Sequence, residues 1–154
     1  MARATNVLSS GAPLDGDYKR GTGLHECDFA AFANQIGLYA TTSLKPGEIL
    51  FREGDEADAL YIVGRGTLTV MSGSAVLEVV RSGGLIGEMA LVDVDVPRSA
   101  SVIASTYAEL FRVDRSDFLA LVAGAPNFAV MVMRVMARRL RIMNQRYRPQ
   151  ATQW

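Results

Sequence analysis

The sequence predicts a mainly β fold with flanking α-helices, arranged as an antiparallel sandwich or barrel of jelly-roll type. From Leu38 to Asp114 apolar and polar residues alternate, and turn residues recur about every eight to twelve positions, as in a chain of short strands. After Asp114 the apolar spacing changes to three and four residues, which is typical of amphipathic helices. These two periods predict β structure over 38–114 and C-terminal helices over 115–147.

Capping and turn residues set the expected elements. Asp28 is suited to cap a helix over FAAFANQIG that closes at Gly37. Asp114 or Ser116 can cap a second helix that stops at Gly124. Between these helices the sequence predicts seven strands, in the segments LYATTSL, EILFRE, ALYIVGRG, TLTVMS, AVLEVVR, ASVIAS and AELFRVD.

A last helix of about twenty residues is expected from Pro126 to Tyr147, because proline suits the first helical position and Pro149 ends the pattern. Its apolar residues predict one continuous apolar face, formed by Phe128, Met131, Val132, Val135, Met136, Leu140 and Met143.

The composition is that of an ordinary soluble domain, with 154 residues, 49% of them hydrophobic and 21% charged. The single cysteine, Cys27, cannot form an internal disulfide, and no apolar run reaches the length of a spanning helix. We expect a cytoplasmic protein that does not use a membrane. Residues 1–24 are expected to form a flexible tail, with docking on another subunit as the alternative, and 149–154 a second tail.

One stretch carries most of the chemistry, and it reads GGLIGEMALVDVDVPRSASV over 83–102. Gly87 lets the backbone approach a ligand, and a helical turn starting near Glu88, Met89 and Ala90 aims N–H groups at an anion. Arg98 offers a planar fork of donors to a phosphate, with the Ser99 hydroxyl beside it. A carboxylate repels phosphate, so Glu88 is better suited to accept a hydrogen bond from a sugar hydroxyl.

This stretch resembles the phosphate-binding cassette of the cyclic-nucleotide-binding domain family, which includes bacterial catabolite activator proteins and the regulatory subunits of cyclic-AMP-dependent kinase. The matching residues are GEMALV, starting at Gly87, and PRSASV, starting at Pro97. The resemblance extends from about Leu38 to Tyr147 and implies an antiparallel β-roll with an N-terminal helix, a short cassette helix and two C-terminal helices. It places the nucleotide-binding domain at 25–148.

The resemblance also implies roles for individual residues. Arg98 would bind the cyclic phosphate and Glu88 the ribose 2′-hydroxyl, while Gly87 and Ala100 would contribute backbone close to the ligand. Ser99 is ambiguous, because a hydroxyl there could bond the phosphate or a guanine amino group. The expected ligand is cyclic AMP, with cyclic GMP as the alternative, and no metal or other cofactor is expected. The base would be met by further residues on the last helix, with Met143 and Asn144 as candidates and Arg146, Tyr147 and Trp154 as lids.

Charge is divided unevenly although the chain is neutral as a whole. All sixteen acidic residues lie at or before Asp117, so 1–117 carries a net charge of −6 and 118–154 carries +6. The arginines of the last helix have three interpretations: a solvated face that partners the acidic β-roll, a surface for a dimer mate or partner protein, or a non-specific nucleic-acid surface. The sequence favours the first. It does not favour nucleic acid, because six residues after Arg148 leave no room for a helix-turn-helix.

An enzyme is not expected from the residues present. Metal-dependent enzymes on related barrels use two or three histidines, whereas this chain has only His25, and no nucleophile elbow, paired-cysteine site or phosphate-binding P-loop occurs. The sequence predicts a stand-alone cyclic-nucleotide sensor whose C-terminal helix moves as the output toward a partner or a second copy. The alternatives are a transcription-regulator relative acting through a partner or nucleic acid, and a ligand-free β-roll that serves as an interaction protein.

Overall fold

The computed structural model describes residues 28–147, and these form two four-stranded antiparallel sheets flanked by four helices. The β-roll with flanking helices that the sequence predicts is confirmed. The expected tails over 1–24 and 149–154, together with His25, Cys27 and Trp154, lie outside the described residues.

The eight strands pair without any parallel neighbours. The first sheet has the order β1-β8-β3-β6, with strands Thr42–Leu44, Ala108–Asp114, Ala59–Arg65 and Leu85–Ile86. The second has the order β2-β7-β4-β5, with strands Ile49–Phe51, Ser101–Ala104, Thr67–Ser72 and Ala75–Arg81. Seven strands match the predicted segments. β6 was not predicted, because two residues inside a glycine-rich segment are too few to show a period.

The helices begin where the sequence predicts. They are α1 (Phe29–Gln35), α2 (Met89–Val92), α3 (Arg115–Gly124) and α4 (Pro126–Arg146). The Asp28 carboxylate accepts a hydrogen bond from the Ala31 N–H at 2.9 Å and caps α1. Asp114, rather than Ser116, caps α3, because its carboxylate accepts from the Asp117 N–H at 2.9 Å.

Two apolar clusters lie on opposite sides of the first sheet. The inner cluster fills the roll between the sheets and includes Leu68, Val80 and Leu110. The outer cluster joins that sheet to α1, α3 and α4 around Phe128, whose ring contacts the rings of Phe29, Phe32 and Phe118. β3 contributes to both clusters, so the helices and the roll share one central strand.

The predicted single apolar face of α4 is wrong at its C-terminal end. Phe128, Met131 and Val132 are buried, but Leu140 is 58% exposed and Met143 54% exposed. The last turns of α4 run beside the edge strand β5, where Arg146 bonds the Leu77 carbonyl, and they contribute no residue to either core cluster. No helix of the described segment is by itself long and apolar enough to cross a membrane, although α3 and α4 meet that test as a pair bent by 115°.

Candidate functional site

The predicted cassette forms the connection between β6 and β7, and its two charged residues are buried. Glu88 is 3% exposed and Arg98 is 6% exposed, and among residues 28–147 these are the buried charged side chains. A charge that has lost contact with water is costly unless protein or ligand groups replace that water. The cassette therefore holds two charges for which partners must be supplied.

Two backbone carbonyls and one aromatic ring hold the Arg98 guanidinium in place. Its Nη2 donates to the Ala59 carbonyl at 2.7 Å, and Nη1 donates more weakly to the Gly87 carbonyl at 3.4 Å. The guanidinium carbon lies 4.0 Å from the centre of the Phe51 ring, and Asp58 Oδ1 lies 3.7 Å from Nη2. Burial lowers the pKa of Arg98 below its ordinary value. Its Nε is buried and has no hydrogen-bond partner among the described residues, so this N–H remains available as a donor.

Glu88 is tied to the last helix. Its Oε2 lies 2.7 Å from Nη1 of Arg139, which also donates from Nη2 to the Leu85 carbonyl at 2.7 Å and from Nε to Glu78 Oε2 at 2.9 Å. Burial lowers the pKa of Arg139, but the opposite effect of the charges of Glu88 and Glu78 is larger. The pKa of Arg139 therefore lies above its ordinary value. One side chain of α4 thus connects the cassette, β6 and β5.

Gly87 is required by its surroundings as well as by its backbone. Its φ is +80°, a conformation that side-chain-bearing residues rarely adopt, and an added Cβ would lie 2.6 Å from Arg98 Nη1 and 3.3 Å from the Ala59 carbonyl oxygen. The backbone at Gly87 therefore lies directly against the Arg98 guanidinium.

The remaining cassette residues occupy different environments. Ala100 is 8% exposed, Ser99 is exposed, and Met89 is 49% exposed at the start of α2. The Ala90 N–H already donates to the Gly87 carbonyl at 3.3 Å, so that amide is used inside the turn. The segment just before β7 contains Arg98, Ser99 and Ala100, so these three residues lie next to one another at the site.

The expected base-contacting residues lie far along α4. Met143 and Asn144 are exposed, and so is Tyr147, at 80%. Arg146 donates from Nη2 to the Leu77 carbonyl at 3.1 Å, which places this end of the helix beside β5. The contact between α4 and the cassette is made by Arg139, one turn before Met143, and not by the predicted pair.

Three side chains at this site were not predicted from the sequence, namely Arg139, Glu78 and Phe51. Arg139 was grouped with the other arginines of α4 in a solvated face that partners the acidic β-roll; its pairing with Glu78 of β5 agrees with that, but its position in ARRL gives no sign of burial. The signal that could have found it is the buried glutamate, because a carboxylate predicted to lie inside the protein needs a cationic partner.

A cavity of about 590 Å³ lies on the outer side of the cassette, and it is not the candidate site. Its walls include Asp58, Pro97 and Arg115, but not Gly87, Glu88 or Arg98. We do not choose this cavity for its size, because the two buried charges, Glu88 and Arg98, and the unpaired Nε of Arg98 are not part of its walls. We therefore assign the candidate site to the cassette and the part of α4 that contacts it.

Comparison with known proteins identifies the family of this domain. The model of the cyclic nucleotide-binding domain matches residues 41–124. The cyclic AMP receptor protein of Thermus thermophilus is 36% identical over 121 residues, which are 75% of this chain and 53% of that protein. The human voltage-gated delayed rectifier potassium channel KCNH8 is 36% identical over 89 residues, which are 56% of this chain and 8% of the channel.

A solved structure, that of the Thermus thermophilus catabolite activator protein, has a TM-score of 0.65 and 30% identity; the match covers 82% of this chain and 59% of that one. The chain thus spans about half the length of the bacterial receptor and a small part of the channel. The matched region contains β1 to β8, the cassette and α3. The chain belongs to the cyclic nucleotide-binding domain family.

Proposed function

We propose that this domain is a sensor that binds a 3′,5′-cyclic nucleotide, cyclic AMP, at the cassette and reports binding through α4. The observation that carries the proposal is Arg98, which is only 6% exposed yet keeps Nε without a partner among the described residues. A bound phosphate would supply charge-assisted hydrogen bonds to such a group. Domains of this family are regulatory rather than catalytic.

The proposed roles follow from the positions of the side chains. Arg98 binds the cyclic phosphate, with Ser99 and the backbone around Gly87 and Ala100 close to it. Glu88 accepts a hydrogen bond from the ribose 2′-hydroxyl, since its Oε2 alone is taken up by Arg139 at 2.7 Å. The name of the Thermus relative, a cyclic AMP receptor protein, supports adenine as the base.

The proposed output begins at the contact between Glu88 and Arg139. A ligand that bonds Glu88 changes the contacts of the carboxylate that holds α4, so the position of the helix and the occupancy of the site become linked. Such a link shifts the helix only as far as the ligand binds one position better than the other. Met143 and Asn144, a turn or more beyond Arg139, are proposed to meet the base when the helix moves.

The partner that reads this output is proposed to be a second copy of the chain. α4 carries an exposed stripe, separate from its buried face, that repeats in steps of three and four residues as in a coiled-coil seam: Val130, Met133, Ala137, Leu140, Asn144 and Tyr147. Arg134 and Arg141 flank the stripe on one side and Met136 and Met143 on the other. An antiparallel pair would oppose arginine to arginine, whereas a parallel pair opposes arginine to methionine, so we propose a parallel pair.

Calorimetric titration of cyclic AMP and cyclic GMP tests the binding function. Arg98→Ala should weaken binding by about 2–5 kcal/mol, because the charge-assisted phosphate contacts are lost from a buried site. Arg65→Ala is the matched control, since Arg65 is exposed and stacks on the Tyr107 ring instead. No heat and no thermal stabilisation of the wild-type protein with either nucleotide would disprove the proposal.

A further inference from the structure

The inner face of the second sheet carries one charged residue, Glu78 of β5. Side chains alternate along a strand, so Glu78 shares its face with Val80, which is 5% exposed in the inner core. Their partners across the ladder, Val70 and Leu68, belong to or pack against the same core. Glu78 is thus a carboxylate beside the apolar core that lies between the two sheets.

Arg139 fixes the position of Glu78 relative to the cassette. Its Nε lies 2.9 Å from Glu78 Oε2 and its Nη1 lies 2.7 Å from Glu88 Oε2. The two carboxylates are therefore separated by no more than one guanidinium and its two hydrogen bonds. If Glu88 holds the ribose, Glu78 lies within the length of a nucleoside from the ribose site.

The free acceptor capacity of Glu78 limits which base it suits. The ion pair with Arg139 uses Oε2, while the side chain remains 43% exposed, so the carboxylate keeps acceptor capacity that a ligand can reach. An ionised carboxylate only accepts hydrogen bonds. It attracts the 6-amino group of adenine, and it repels the 6-oxo group of guanine or hypoxanthine when either stands in the same place.

Guanine could instead present its N1–H and 2-amino donors, but that pairing uses both oxygens of a carboxylate. Arg139 already holds one of them, and giving it up would leave the partly buried guanidinium with one bond fewer. The arrangement of Glu78 and Arg139 therefore suits a single donor from the base.

Building on the cyclic-nucleotide-binding function proposed above, we propose that Glu78 is a base-reading residue that selects a 6-amino purine over a 6-oxo purine. The geometry for this is the carboxylate on the inner face of β5, one guanidinium away from the ribose-binding carboxylate. Selectivity arises because two acceptors that face each other repel and form no hydrogen bond, whereas the 6-amino group donates one to the carboxylate.

The test compares cyclic AMP with cyclic inosine monophosphate, which carries oxygen in place of the 6-amino group. Both are titrated into the wild-type protein, Glu78→Gln and the control Glu56→Gln, whose carboxylate is exposed beside the outer cavity. We expect the wild type and Glu56→Gln to prefer cyclic AMP by about ten-fold or more. Glu78→Gln should lose most of that preference, because the new amide can donate to the 6-oxo group.

A role of Glu78 that is only structural, as a holder of Arg139, gives a different result. It would weaken both nucleotides by the same factor and leave their ratio unchanged, which would overturn the inference while cyclic-nucleotide binding stands. Tighter binding of cyclic inosine or guanosine monophosphate than of cyclic AMP by the wild type would overturn it too. Absence of binding by all three nucleotides would instead overturn the proposed function. Thermal unfolding of each variant checks that the fold is kept.

Discussion

Arg139 and Glu88 form an ion pair, 2.7 Å between Nη1 and Oε2, that joins the last helix to the cassette. Glu88 is 3% exposed, so this contact is made where water screens little of the charge. Because the same guanidinium bonds the Leu85 carbonyl and Glu78, four elements of the fold depend on one side chain.

Replacing Arg139 should destabilise the protein strongly. Arg139→Met keeps most of the side-chain length but leaves the Glu88 carboxylate buried without its cation, which costs about 3–5 kcal/mol. Urea unfolding measures the loss, and hydrogen exchange of α4 amides should become faster. Arg81→Met is the control, since Arg81 is exposed at the end of β5 and lies outside the proposed seam. Equal stability of the two variants would contradict the importance given to this ion pair.

Gly87→Ala should impair both the fold and the site. The residue has a φ of +80°, and an added Cβ would lie 2.6 Å from Arg98 Nη1, so the guanidinium must move. We expect a loss of about 1–3 kcal/mol in the free energy of unfolding, together with weaker nucleotide binding. Gly73→Ala provides the comparison, because Gly73 also has a positive φ, +55°, but has no atoms within 4 Å of the new Cβ. If Gly73→Ala weakened binding as much, close approach at Gly87 would not be the cause.

The exposed stripe of α4 should control self-association. Leu140→Asp places a charge in the proposed seam and should convert dimers to monomers in analytical ultracentrifugation, because an unpaired charge cannot be buried cheaply. Leu119→Asp, on α3, is a matched control: Leu119 is 54% exposed and Leu140 58%. Wild-type protein that stays monomeric at high concentration, with and without nucleotide, would rule out the second copy as partner.

The cap of α3 predicts a dependence of stability on pH. The hydrogen bond from the Asp117 N–H lowers the pKa of Asp114 below its ordinary value of 3.8, with a further contribution from Ser116. A depressed carboxyl pKa stabilises the fold above the unfolded-state pKa, and this stability is lost as the pH falls through the folded-state value. Asp114→Ala should cost about 1 kcal/mol near neutral pH, and the difference from wild type should shrink in acid.

Acid titration of unfolding free energy checks this prediction. Asp117 opposes the effect, because burial and the charge of Asp114 raise its pKa. The comparison between wild type and Asp114→Ala at each pH is therefore more informative than the wild-type curve alone. A difference that grows as the pH falls would show that the sign is wrong.

The cassette could be predicted because its chemistry is local. The segment from 87 to 98 contains Gly87, Glu88 and Arg98. A glycine there predicts an unusual backbone conformation, and the two charged residues predict a polar site. The capping roles of Asp28 and Asp114 could also be predicted, because a cap bonds the N–H of a residue only three positions further along the chain.

The contacts of Arg139 could not be predicted in this way. They depend on how α4 crosses the roll, so residues distant in sequence, Glu78 and Glu88, meet at one guanidinium. The apolar face of α4 was misassigned for a related reason. The helix has two apolar stripes, and spacing alone does not say that Leu140 belongs to the exposed one.

Arg146 also covers part of the open edge of the second sheet. β5 is the last strand of its sheet, and its Leu77 carbonyl accepts a hydrogen bond from Arg146 at 3.1 Å, while Arg139 pairs with the neighbouring Glu78. An uncovered edge strand with exposed Val76 and Val79 would be a template for pairing with another chain. If α4 moves away from the roll in the proposed switch, the edge of β5 loses this contact and becomes open to pairing with another chain. Movement of the helix would therefore raise the tendency of the protein to aggregate.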